Sequence, residues 1–207
     1  MPGEISLAHN GVLFMDEFVE FTRKVLESLC QPLGGRDVVV SRAKAHSRYL
    51  CQFMLVATAN PCRCGYMADP SRACARAPLC GAEYMKNISG PMMDRFDLRV
   101  EMPPIAFYDL DLPANGDSSQ QVAARIATAH QVQAERYRNK PILHNNAGLS
   151  GALLDTIATP DSAGQRILTH AAERFHLSAP GYHRVLRVAR TVADLEGCKK
   201  ITKPHIA

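Results

Sequence analysis

Two adjacent carboxylates, Asp16 and Glu17, close the apolar run Val12-Leu13-Phe14-Met15. A continuous apolar run of this length suits a strand covered on both faces, and open α/β sheets bind ligands beyond the carboxyl ends of such strands. At that position the pair can divide one task. Asp16 can hold a Mg²⁺ ion, directly or through water, while Glu17 orients and polarises a water attacking a phosphate. The same two residues could instead cap a helix starting at Phe18. A second apolar run, Phe53 to Ala57, ends in Thr58-Ala59-Asn60. In a parallel sheet the Asn60 amide would lie beside Asp16 and Glu17, where it can position water against a γ-phosphate. Asn60-Pro61 also makes a local turn, and the two roles are compatible.

Four of the seven cysteines, Cys62, Cys64, Cys74 and Cys80, crowd into one segment. Four thiolates can satisfy tetrahedral Zn²⁺, and a metal would order a Cys-, Pro-, Gly- and Arg-rich insertion over 61–88 that cannot bury a core. The spacing is not that of a C-x₂-C ribbon, so a reduced surface loop stays open beside zinc. Cys30, Cys51 and Cys198 occupy apolar or helix-like settings, and the eight histidines show no metal spacing. Arg184, Arg187 and Arg190 recur at helical spacing, with Arg174 upstream. They line one helix side, either as a solvated face or as a contact for nucleotide or DNA.

These groups need elements to hold them. Phe18, Phe21, Val25 and Leu29 are spaced for an amphipathic helix that Pro32 would stop, giving the order strand, helix, strand. Gly34-Gly35 introduces Val38-Val39-Val40, so a β-hairpin is expected on the way to the second strand. Leu98 to Met102 reads as a further short strand ended by Pro103-Pro104. A linker over Asp109 to Asp117, with Pro113, Asn115 and Gly116, precedes a capping-box pattern at Ser118 and Gln121 and a helix to about Arg138. Helical patterns follow at Ser150–Ile157, Ser162–Phe175 and Tyr182–Leu195, the last before Gly197. The expected architecture is α/β over 1–110, all-α over 118–207, with a boundary near residue 110.

Composition sets outer bounds. At 207 residues, with 46% hydrophobic and 21% charged side chains, the chain is an ordinary globular sequence with room for one large or two modest domains. No apolar run approaches the ~20 residues of a spanning helix, so no membrane partner is expected. The N-terminal segment has no basic start followed by an apolar stretch, which points to the cytoplasm. A net charge of +4 and a pI near 8.7 permit a polyanion partner without requiring one.

The blocks PGEISLAHNGVLFMDE, SLCQPL, ISGPMMDRFDL and YHRVLRVARTVADLEG resemble successive blocks of the ComM/YifB branch of magnesium-chelatase-like AAA+ proteins, and together they span almost the whole chain. The resemblance implies a partial AAA+ P-loop core with a parallel sheet, followed by an all-α lid domain. It implies Asp16 and Glu17 as Walker B, Asn60 as sensor 1, and Arg95 as an arginine finger offered to the neighbouring subunit. It further implies ATP and Mg²⁺ as cofactors, a homo-oligomeric ring, expected to be a hexamer, and DNA as partner, with a helicase-like branch-migration role in recombination or transformation.

A guanidinium supplied in trans offsets charge on a transferring phosphoryl group, and head-to-tail contacts of that kind close into rings. A pair within the chain, with Asp94 or Asp97, is the alternative for Arg95. Two departures from the family pattern matter. No G-x-x-x-x-G-K-[ST] occurs, so this chain alone is expected to be inactive as an ATPase and to be a truncated piece of a longer protein. Pro180 stands where family members commonly carry the sensor 2 arginine, leaving Arg184 as a substitute nucleotide contact. The alternatives to a DNA motor are a chelatase-type ATPase that remodels a partner protein, and a non-hydrolysing AAA+ oligomerisation module.

Overall fold

The computed structural model describes residues 3–35, 37–42, 45–67, 69, 71–105, 111, 116–140 and 143–207. They form two compact units that divide between Phe96 and Asp97. The expected boundary near residue 110, and Pro113 and Asn115 of the expected linker, lie outside the described residues.

The first unit begins with α1 (Glu4–Leu7) and β1 (Val12–Met15), which pairs in parallel with β4 (Met54–Ala57) in the register Val12↔Met54 to Met15↔Ala57. Between them, β2 (Asp37–Arg42) and β3 (Ala45–Leu50) form the expected antiparallel hairpin. The single helix expected from Phe18 to Leu29 is instead a short 3₁₀ turn, Phe18–Glu20, followed by α2 (Arg23–Ser28). Phe21 and Thr22 are extended, with ψ of 146° and 143°, so the apolar spacing is shared by two pieces. Pro32 does not terminate a helix either. It is buried in the first turn of α3 (Cys30–Gly35), where a missing N–H costs no intrahelical bond. After the cysteine segment come α4 (Leu79–Met85) and α5 (Gly90–Met93).

Alternation along β1 and β4 sends Leu13, Met15, Leu55 and Ala57 inward, against Phe18, Leu26, Ile88 and Met92. Phe96 packs edge-on against Phe18, with ring centroids 5.4 Å apart. The outward residues Val12, Phe14, Met54 and Val56 are exposed.

In the second unit Leu98–Met102 forms no strand, contrary to expectation; Leu98, Val100 and Met102 are 69%, 77% and 83% exposed. An alternating pattern needs a hydrogen-bonded neighbour to become a strand, and no described strand pairs with this one. The rest is helical: α6 (Ser119–Tyr137), α7 (Gly151–Ile157), α8 (Ser162–Arg174), α9 (Ala179–Leu195) and α10 (Lys203–Ile206). The Ser118 capping box is complete, with Ser118 N donating to Gln121 Oε1 at 2.7 Å and Gln121 N to Ser118 Oγ at 3.3 Å. Ser178 caps α9, which starts three residues before the expected Tyr182, and Pro180 fits its first turn. Gly197, at φ +70°, ends α9 in a Schellman turn, with Cys198 N donating to Ala193 O and Gly197 N to Asp194 O. Leu149, Leu154, Leu168, Leu186, Ala193 and Ile201 form the core of this unit. Among the described residues no helix is long and apolar enough to cross a membrane.

Candidate active site

The parallel register carries past the last strand residues and puts Asp16 opposite Thr58. Thr58 N donates to Met15 O at 3.0 Å, and Phe18 N to Thr58 O at 2.8 Å. The Thr58 hydroxyl donates to Asp16 Oδ1 in a short contact. Glu17 N reaches both partners, at 3.1 Å to Asp16 Oδ1 and 3.2 Å to Thr58 Oγ1. These bonds hold Glu17 in the left-handed region, at φ 49° and ψ 46°. A non-glycine residue there stores strain that its surroundings must offset, and such strain clusters at functional sites. Neither carboxylate is spent on capping: the 3₁₀ turn after Glu17 has no side-chain cap.

One oxygen of Asp16 is thus occupied by two donors while the carboxylate stays exposed to solvent. An oxygen-only set of Asp16, Glu17 and the Thr58 hydroxyl suits a hard cation such as Mg²⁺. Asn60 is exposed and lies beyond the Asp16–Thr58 pair; its side chain makes no hydrogen bond among the described residues. The residue that actually touches Asp16 is therefore Thr58. Matching the ends of the two apolar runs, Met15 with Ala57, would have identified it.

Two further residues brace this corner and had no signal in spacing. Tyr84 on α4 is pushed up to about 12 by burial, then by a hydrogen bond to Glu20 and by the charges of Glu20 and Glu17. It stays a neutral donor facing acidic groups. Asn87 donates to Val19 O at 2.6 Å and Phe21 O at 2.7 Å, closing the turn after Glu17.

Arg95, just after α5, is exposed and has no hydrogen bond or ion pair among the described residues. Its guanidinium lies against Gly34 in α3, where an added Cβ would come within 2.9 Å of Nη1. In the second unit Asp97 pairs with Arg184 at 3.2 Å.

The arginines of α9 separate into distinct roles, contrary to a shared solvated face. Arg190 is buried, donating to Asp194 Oδ1, Lys199 O and Cys198 O. Arg187 is half-buried and donates to Leu149 O at 3.3 Å. Arg184 is mostly covered beside Asp97.

The four cysteines are free thiols. Cys62 is fully buried, and its Sγ lies 3.1 Å from that of Cys64. The Tyr66 amide, followed by the thiol of Cys62 and the backbone of Cys74, holds Cys64 down at about 6. A hydrogen bond with Cys74, then burial and the charges of Cys74 and Cys62, push Cys80 up to about 12.

Residues 1–110 match the family described as magnesium chelatase, subunit ChlI, and residues 116–207 match its C-terminal counterpart. The chain is 37% identical to competence protein ComM of Haemophilus influenzae over 100% of its own length and 39% of that protein's. It is 36% identical to the uncharacterised protein YifB of Salmonella typhimurium over 99% of its length and 39% of the relative's. A more distant similarity, 26% over 81% of this chain and 17% of the relative, is to the DNA replication licensing factor mcm6 of Dictyostelium discoideum. The chain thus spans about two fifths of the length of the ComM and YifB relatives it matches.

Proposed function

The chain belongs to the magnesium-chelatase-like family of AAA+ proteins, and on that premise we propose that it is the Walker B and lid portion of an ATP-hydrolysing ring motor acting on DNA. The observation that carries this reading is the strained Glu17, held beside the solvent-facing Asp16 by the Thr58 hydroxyl at the carboxyl end of a parallel strand pair. Mg²⁺, when bound, would supply positive charge against the phosphates of ATP. Asp16 would hold that ion. Glu17 would accept a proton from the attacking water and aim it, with Asn60 orienting the water from the neighbouring loop. Arg95 would reach the nucleotide of the next subunit, and Arg184 would exchange Asp97 for a phosphate of its own. Zn²⁺ would be confined to the cysteine segment.

The relatives' names support the DNA assignment: one is a competence protein and another a DNA replication licensing factor. With Arg187 and Arg190 engaged inside the lid, the exposed cations offered to DNA include Arg166 and Arg174 of α8 and Lys203 of α10. The proposed assembly is a cytoplasmic hexamer.

The test is ATP turnover by the complete protein, with and without DNA, for wild type and Glu17→Gln. Stimulation by DNA in the wild type and loss of turnover in the variant are expected. A second reading, a chelatase-type motor that remodels a protein, is favoured by the family description itself. DNA-independent turnover that a protein partner stimulates would select it. Nucleotide binding without turnover in the wild type would select a non-hydrolysing oligomerisation module.

A further inference from the structure

The segment between Asn60 and α4 has almost no apolar core of its own, yet it converges on sulfur. The Sγ atoms of Cys62, Cys64 and Cys80 lie within 4.8 Å of one another. Cys74, the fourth cysteine of the segment, is near enough to shift the thiols of both Cys64 and Cys80. Sulfurs at the corners of a tetrahedron around Zn²⁺, each about 2.3 Å from the metal, sit at comparable separations. The local backbone is built for it. Cys62 to Gly65 forms a tight turn, with Gly65 N donating to Cys62 O at 3.0 Å and Gly65 at φ +77°, a conformation that favours glycine. That turn aims the Tyr66 amide at the Cys64 sulfur, the backbone hydrogen bond that commonly orients a metal-bound thiolate.

We infer that Cys62, Cys64, Cys74 and Cys80 form a structural Zn²⁺ site that ties the residue after Asn60–Pro61 to helix α4. The tie has a mechanical consequence. Gly81, next to Cys80, lies so close to the segment that an added Cβ would meet Met67 Sδ and come within 3.0 Å of Pro61 O. Helix α4 carries Tyr84, which bonds Glu20, and leads to Asn87, which holds the turn after Glu17. The metal therefore links the Asn60 loop to the backbone that strains Glu17. Four thiolates leave no open position, so the site positions and does no chemistry.

A second cluster, Glu196, Cys198 and His205, also has metal-like spacing. It is not a counterpart. Thr202 N donates to His205 Nδ1 at 2.8 Å, so Nε2 of the neutral ring carries the proton and donates to Glu196 at 2.9 Å, leaving no lone pair for a metal.

The experiment is elemental analysis of the chain purified under reducing, chelator-free conditions, followed by exchange of the metal for Co²⁺. About one equivalent of zinc, and intense visible bands with thiolate charge-transfer absorption in the cobalt form, are expected. Cys74→Ser and Cys80→Ser should lower retention, while Cys198→Ser should leave it unchanged. The wild-type measurements stand even if a ligand variant fails to fold. No zinc after reconstitution, weak cobalt bands of octahedral type, or zinc lost on Cys198→Ser would overturn the site. None of these readouts involves nucleotide, so a failure of the ATPase reading would leave them unmoved.

Discussion

The corner at Asp16 and the interior of the second, helical unit both gather charged side chains, and they treat them in opposite ways. Asp194 is buried and accepts from Arg136, Arg190 and the Asn146 amide, with Arg136 bonding it at 2.5 and 2.6 Å. Asn146 in turn accepts from Tyr137 and donates to Thr191, and Gln133 accepts from its backbone. No buried side-chain nitrogen or oxygen among the described residues lacks a partner. Asp16, by contrast, accepts from Thr58 and Glu17 through one oxygen and remains open to solvent, beside a strained backbone. The apolar surroundings differ in the same sense: β1 and β4 leave Val12, Phe14 and Met54 53%, 59% and 60% exposed, while the core of the second unit is closed. Charges that stabilise are saturated, and charges available for chemistry keep free valence.

The sharpest way to break this contrast is at Arg95, an exposed cation without an ion pair among the described residues. In the complete protein Arg95→Ala should lower kcat by about 10³ to 10⁵, the range for an arginine finger. If the finger acts in trans, mixing Arg95→Ala with Glu17→Gln subunits should restore turnover at some interfaces, and mixtures as inactive as either variant would count against it. Glu17→Gln alone should cost about 10² to 10⁴ in kcat with ATP binding retained, because only the water-polarising group is removed. An unchanged kcat would remove Glu17 from the mechanism.

At Asp194 the expectation is about stability. Asp194→Asn leaves Arg136 and Arg190 facing a neutral amide in the interior, and should destabilise the second unit by about 3 to 5 kcal/mol. Burial raises the Asp194 carboxyl, but the hydrogen bonds from Arg136 and Asn146 and the charge of Arg190 outweigh it, so its net shift is downward. The stabilisation is therefore fully present above the unfolded-state value of about 3.9 and is lost as pH falls from there through the lower folded value. Denaturant unfolding followed from pH 7 to pH 2 should show that decline in wild type and a flatter profile in Asp194→Asn. Equal acid sensitivity in both would place the proton uptake elsewhere.

These outcomes bear on what the sequence made legible. The capping pair Ser118/Gln121, the hairpin at Val38 and the helical periods of α7 and α8 are local signals, and the structure places them as read. The Phe18 helix failed because its apolar spacing is satisfied by a 3₁₀ turn plus a helix, once Phe18 and Val19 are drawn under the sheet. Leu98–Met102 failed because strand formation depends on a partner that no local pattern reveals. The Asp194 network draws on residues as far apart as Gln133 and Lys199, and only tertiary folding could assemble it.

The smallest effect is expected at Thr58, the residue that touches Asp16 across the strand pair. Its hydroxyl donates to Asp16 and accepts from Glu17 N, so it orients a group proposed to hold the metal without touching substrate. Groups that support a metal ligand in this way typically change metal affinity by about ten- to a hundredfold. Thr58→Val keeps the branched shape against β1 and deletes both hydrogen bonds, whereas Thr58→Ser keeps them. In the complete protein Thr58→Val should raise the Mg²⁺ concentration needed for half-maximal turnover, with kcat at saturating Mg²⁺ reduced less, and Thr58→Ser should restore the wild-type requirement. A purely structural role predicts a different result, in which thermal stability falls and the Mg²⁺ requirement does not move. That result would leave Asp16 oriented by the backbone of Glu17 alone.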